Sequence, residues 1–245
     1  MTFYHKFDCS SFGYNAVCAG DMNQNSVVMV LHGLTVCKET QKTDLERLSE
    51  SGFFSVAIDA PHHGERSTGV VELMYNMQPY DRHHIMMAIV LQQAAEVADL
   101  ITMFKKQGKK VAVAGISMGA HTTFALLRMK QKPDFIASFL GAADFRARDL
   151  SITYPPSIIE TSGPYDYLET VYPAPLFMVT GGKDTIVPAS YSRKFYESLK
   201  PYYKKQPQLL QYHEYPDSEH MMQPQDWKDA WQKFTNRLNQ EGFNS

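Results

Sequence analysis

Cysteine is scarce: there are three in 245 residues, at Cys9, Cys18 and Cys37. An odd count without metal-ligand spacing argues against a disulfide framework and a cysteine-based metal centre. It points instead to reduced thiols in a reducing compartment. Cys9 and Cys18 could face one another across a hairpin, but two small buried thiols is the stronger reading. Blocks of like charge are missing. Lys and Arg number 24 against 26 Asp and Glu, a formal net charge of −2, so nothing favours nucleic acid or an anionic membrane as partner. No apolar run approaches the ~20 residues that span a bilayer. The opening MTFYHKFDCSSF lacks the basic-then-apolar pattern of a signal peptide, so a cytoplasmic protein is expected. Internal repeats and low-complexity linkers are absent as well. A chain of this length and composition, 44% hydrophobic and 20% charged, suits one domain over residues 1–245 with one large core.

The most informative stretch is residues 111–120, VAVAGISMGA. Small and β-branched residues predict a buried strand, and a helical run follows from Ala120. Ser117 stands between them, flanked at two positions by Gly115 and Gly119. G-x-S-x-G at a strand-to-helix junction is the nucleophile elbow. A hydroxyl projects from so sharp a turn only when the residues two positions away lack a Cβ. The unpaired N–H groups of the following helix start can also stabilise a developing oxyanion.

Apolar runs predict further strands at 2–9, 13–19, 26–31, 53–58, 135–140, 175–180 and 208–215. The first two would form an antiparallel hairpin around residues 10–13. Helical periodicity predicts helices at 39–51, at 82–107 with Asp81 as cap and Gly108 as stop, and at 189–199. A last helix carries Trp227, Trp231, Phe234 and Leu238 on one stripe. Alternating strands and helices imply an α/β protein with a mostly parallel sheet covered on both faces. Residues 141–172 break the alternation. They hold Pro155, Pro156, Pro164 and several tyrosines, Tyr154, Tyr165, Tyr167 and Tyr172 among them, and read as a cap or lid inserted at about 142–173.

A serine hydroxyl needs a base, and the base needs an orienting acid. Chain order at an elbow of this kind is Ser, then Asp or Glu, then His. Asp184 follows a strand in the loop GGKDTIVP, at the sheet edge where ligands bind. Asp144 and Asp217 compete for the role, Asp144 more strongly. His220, in DSEH after the last strand, is the candidate base. His213 lies within a strand and His121 on the elbow helix, and both read as packing or surface residues. The oxyanion donors are expected to be the backbone N–H groups of Met118, next to the serine, and of Leu34, in the loop His32-Gly33-Leu34 after the first parallel strand. The pairs His62-His63 and His83-His84 suggest a metal only weakly, because adjacent side chains diverge. His62 and His63 could line a pocket rim instead. Met74, Tyr75, Met77, Met86 and Met87 read as core. No metal and no organic cofactor is expected.

Four segments in order, VVMVLHGL, AIDAPHHGERS, VAVAGISMGAHT and LFMVTGGKDTIVP, followed by DSEH, resemble α/β-hydrolases of the dienelactone-hydrolase-like branch. The match is to small single-domain bacterial carboxylesterases. The resemblance implies an α/β-hydrolase fold and acyl-ester hydrolysis through Ser117, Asp184 and His220. Dienelactone hydrolases proper carry cysteine as nucleophile. Serine at 117 points to a general carboxylesterase, and the short cap argues for small substrates with short acyl chains; homodimerisation is possible. The same residues could equally serve a peptidase, thioesterase or acyltransferase, and a non-catalytic ligand-binding protein is the rival of another class.

Overall fold

Among the described residues, eight short strands build the centre of the molecule, and their alternation of side chains sets what lies on each face. The computed structural model describes residues 4–9, 14–147 and 157–244. The strands are β1 (Tyr4–Cys9), β2 (Tyr14–Ala19), β3 (Ser26–Leu31), β4 (Phe54–Ile58), β5 (Lys110–Ile116), β6 (Phe135–Phe139), β7 (Leu176–Gly181) and β8 (Leu210–Tyr215). They join in one sheet of order β1-β2-β4-β3-β5-β6-β7-β8. From β4 to β8 every pairing is parallel, while β2 runs against both its neighbours. The expected turn at 10–13 lies outside the described residues. The β1–β2 register sets Cys18 opposite His5 and Cys9 opposite Tyr14, so the two cysteines do not face each other.

Strand side chains point alternately up and down. Val27, Met29, Leu31, Val111, Val113, Ile136, Leu176 and Met178 enter one core layer. Val28, Val30, Ala112, Ala114, Phe135, Ala137, Phe177 and Val179 enter the other. The first layer is covered by α2 (Val70–Met74), α3 (Pro79–Lys106), α4 (Met118–Leu126) and α5 (Ala189–Leu199). The second is covered by α1 (Lys42–Glu50) and α6 (Pro224–Gln240). In α6 the expected stripe holds: Trp231, Phe234 and Leu238 are buried, and Trp227 is half-buried. Trp231 stacks on Phe139 at 4.8 Å and 16°. Such aromatic pairs add about 0.5–1.5 kcal/mol beyond the area they bury.

Two expectations need correction. Asp81 does not cap α3. The helix begins at Pro79 after Gln78, because proline's fixed φ and missing N–H suit a first helical position. Asp81 lies in the first turn, where its charge meets the positive end of the helix dipole. Gly108, at φ 78°, ends the helix as expected. Second, α3 is long and apolar enough to cross a membrane by length and composition, contrary to the reading of apolar runs. Scattered polar residues hide this in the sequence. Half of the apolar window is buried, with Val90, Ala94, Val97 and Ile101 in the first core layer, as in a core helix.

Between β6 and β7 the described part of the irregular segment forms three short 3-10 turns, Glu160–Ser162, Pro164–Asp166 and Leu168–Thr170. Tyr154, Pro155 and Pro156 lie outside the described residues. Because β3, β5, β7 and β8 are parallel, the loops after them gather along one edge of the sheet.

Candidate active site

Ser117 occupies the turn between β5 and α4 with φ 54° and ψ −111°, a conformation that costs a non-glycine residue energy. Close backbone approach explains its glycines. A Cβ on Gly115 would stand 2.1 Å from the Gly119 carbonyl oxygen, and one on Gly119 would stand 2.3 Å from the Leu31 carbonyl oxygen. The Ser117 N–H donates to the Phe139 carbonyl at 2.9 Å, tying the elbow to β6.

Three of the predicted residues meet here. The Ser117 hydroxyl lies 3.0 Å from His220 Nε2, and His220 Nδ1 lies 2.7 Å from Asp184 Oδ2. The Asp184 side chain is fully buried. Its other oxygen accepts the Ile186 and Val187 N–H groups, each at 2.8 Å. The loop after β7 therefore fixes the carboxylate, which in turn fixes the ring. The His220 loop is anchored by Ser218, whose hydroxyl donates to Asp226 at 2.7 Å and accepts the Gln223 N–H.

The competing acids are engaged elsewhere. Asp144 takes the Arg146 guanidinium at 2.9 Å, and Asp217 pairs with Lys183 at the surface. His213 packs on the Phe177 ring at 4.9 Å, with burial pulling its pKa down. The two expected oxyanion residues flank Ser117 in one cavity of about 690 Å³, lined by both Leu34 and Met118. Neither backbone N–H donates a hydrogen bond among the described residues.

The histidine pairs diverge as expected. His62 Nδ1 contacts the Thr68 hydroxyl and His63 Nδ1 the Pro61 carbonyl. Neither lines the cavity rim. His83 Nε2 meets the Phe145 carbonyl, while His84 meets Tyr80 and Ser157. Cys37, Glu39 and Asp59 place potential metal-ligand atoms within 4.8 Å of one another, but the Lys38 ammonium already sits on both carboxylates, at 3.2 and 2.6 Å.

Several cavity residues were missed in the sequence. Tyr75 and Met86, read as core, line the cavity, as do His83, His121 and Arg146. His121 had a legible signal, because a residue four positions after Ser117 shares its helix face. Its Nδ1 lies 2.9 Å from the Ser117 carbonyl, to which it donates. Four described non-glycine residues have positive φ, and three of them, Thr35, Ser117 and Leu140, line this cavity. Such strain collects at functional sites.

Residues 14–242 match the family model of the dienelactone hydrolase family. YitV, a candidate esterase of Bacillus subtilis (strain 168), is 29% identical over 210 residues, covering 76% of this chain and 79% of its own. The esterase YjfP of Escherichia coli (strain K12) is 25% identical over 192 residues, covering 70% and 74%. Among solved structures, TT1662 of Thermus thermophilus superposes with a TM-score of 0.77 at 21% identity, covering 97% of this chain and 98% of that one. At that identity the likeness speaks for the α/β-hydrolase fold alone. With sheet order, elbow and family match in agreement, the chain belongs to the dienelactone hydrolase family and is a hydrolase of ester-type substrates.

Proposed function

We propose that the protein is a serine carboxylesterase acting on small, short-chain acyl esters through an acyl-enzyme. The observation that carries this reading is the continuous hydrogen-bonded chain Ser117–His220–Asp184 opening into the cavity. Ser117 Oγ attacks the ester carbonyl while His220 Nε2 takes its proton. Asp184 holds the ring through Nδ1–H and stabilises the imidazolium. The Leu34 and Met118 N–H groups bind the tetrahedral oxyanion. His220 then protonates the departing alcohol. Water, activated by the same ring, hydrolyses the acyl-enzyme and restores the serine.

The cavity wall supports the short acyl chain. A long alkyl chain needs an uninterrupted apolar slot, and here Arg146, His83 and His121 interrupt Leu34, Met86 and Ile116. In the same reading the segment after β6 serves as the cap, since Leu140 and Arg146 belong to the wall.

The test is turnover of p-nitrophenyl esters from acetate to decanoate by wild type, Ser117→Ala and Asp184→Asn. Rates should peak at short chains and fall by about 10³-fold or more in both variants. Activity surviving in Ser117→Ala removes the serine from the mechanism. A peak at decanoate overturns the short-chain assignment, and turnover of thioesters or peptides alone overturns the esterase.

A further inference from the structure

We propose that His32 is a positioning residue that aims the Leu34 N–H at the oxyanion site by holding the Gly33 carbonyl on the far side of the same peptide. The proposal rests on the reading above, in which Leu34 supplies one oxyanion donor.

His32 follows β3 and is wholly buried. Its Nε2 lies 2.9 Å from the Ala60 backbone nitrogen. A backbone N–H can only donate, so Nε2 is the lone-pair nitrogen. In a neutral imidazole the proton then sits on Nδ1, which donates to the Gly33 carbonyl at 2.7 Å. Burial lowers the pKa of His32 to about 4, so the ring keeps this single tautomer across the working range of an esterase. Ala60, which follows β4, thus dictates which nitrogen faces Gly33.

The Gly33 carbonyl and the Leu34 N–H belong to one planar trans peptide, in which C=O and N–H point in opposite directions. Holding the carbonyl against the buried ring turns the N–H away from that ring, and Gly33, Leu34 and Ser117 all line the cavity. Gly33 lies close to the nucleophile: a Cβ there would stand 3.5 Å from Ser117 Cβ. The next residue, Thr35, has φ 68°. The loop is therefore held in its path by contacts, not by backbone preference, and the His32 bond is one such contact.

Two variants separate positioning from mere packing. In His32→Asn the side-chain amide N–H takes the place of Nδ1–H and keeps the bond to Gly33, while the bond to Ala60 is lost. In His32→Gln the amide reaches the Nε2 position, accepts from Ala60 and gives up Gly33. Each variant loses one buried bond, so both melt below wild type, and only the rates distinguish them. The readout is the second-order rate of Ser117 labelling by a fluorophosphonate, whose phosphoryl oxygen occupies the oxyanion position. It needs no knowledge of the natural substrate. His32→Gln should lower labelling and kcat by about 10- to 100-fold with KM unchanged, and His32→Asn should stay within about threefold of wild type, since loss of a whole oxyanion donor costs ~10²–10³. The proposal is overturned if Asn falls as far as Gln, or if both keep wild-type rates. A wild type that labels but hydrolyses no ester defeats the esterase reading, while the labelling rates still decide the role of His32. A wild type that does not label defeats both.

Discussion

Lys38 offers the sharpest test of how the loops around the cavity are held. Its side chain has no exposed surface, and Asp59, 2% exposed, receives its ammonium at 2.6 Å. The Lys38 N–H donates to the other Asp59 oxygen at 2.9 Å, and the Glu65 N–H donates to Asp59 as well. Burial alone would lower the Lys38 pKa, but Asp59, Glu39 and Glu65 outweigh it and hold the ammonium above its usual value. Lys38→Met keeps the length of the side chain and removes the charge. It leaves Asp59 buried with backbone donors only, and breaking a buried pair in this way costs about 3–5 kcal/mol. With a urea slope of about 3 kcal/mol per M for a chain of this size, the midpoint drops by about 1–1.7 M. Adding Asp59→Asn to Lys38→Met should recover much of the loss, because the orphaned charge is then gone. The loss should persist in 1 M NaCl, since buried pairs are poorly screened. Lys183→Met, which breaks an exposed pair with Asp217, should leave the midpoint in place. A Lys38→Met loss below about 1 kcal/mol, or a double variant no better than the single, would refute the reasoning.

Two further outcomes follow from local geometry. Gly119→Ala forces a Cβ to within 2.3 Å of a backbone oxygen; it should cost about 3 kcal/mol and slow Ser117 labelling, whereas Gly33→Ala, with only ordinary contacts, should melt like wild type. Asp44 has its pKa pushed up to about 6, chiefly by burial, against the pull of Arg47 and Trp227. The folded state therefore binds the proton more tightly than the unfolded one, and ionisation costs stability as pH rises from about 4 through 6. Asp44→Asn should melt higher than wild type at pH 7–8, with the gap closing toward pH 4; a gap independent of pH would count against the buried carboxyl.

The site residues differed in how visible they were before the fold. Ser117 and its glycines were legible because one local turn imposes all three. Asp184 and His220 were legible because strand order places the loops after β7 and β8 at the same edge. The identity of the acid also depended on neighbours. Asp144 gives its oxygen to Arg146, two residues on, while Asp184 reaches His220. Lys38 and Asp59 are 21 residues apart, and nothing local marks the lysine as buried. Tyr75 and Met86 look like core because a cavity wall and a core use the same apolar side chains. Only the folded arrangement, which sets both in one wall with Ser117 and His220, decides which of them faces empty space.

The elbow belongs to β5, whereas His220, the base of the proposed mechanism, follows β8, 103 residues later, and Asp184, its proposed acid, follows β7, which pairs with β8. A chain in which β8 has not yet joined the sheet can form the elbow but has no base beside it. On the proposed mechanism Ser117 is then an ordinary alcohol, slow to be acylated during synthesis or refolding. Chemical competence becomes a property of the completed sheet. On refolding from urea, Ser117 labelling should return with the slowest phase of sheet formation rather than with the first collapse of the core.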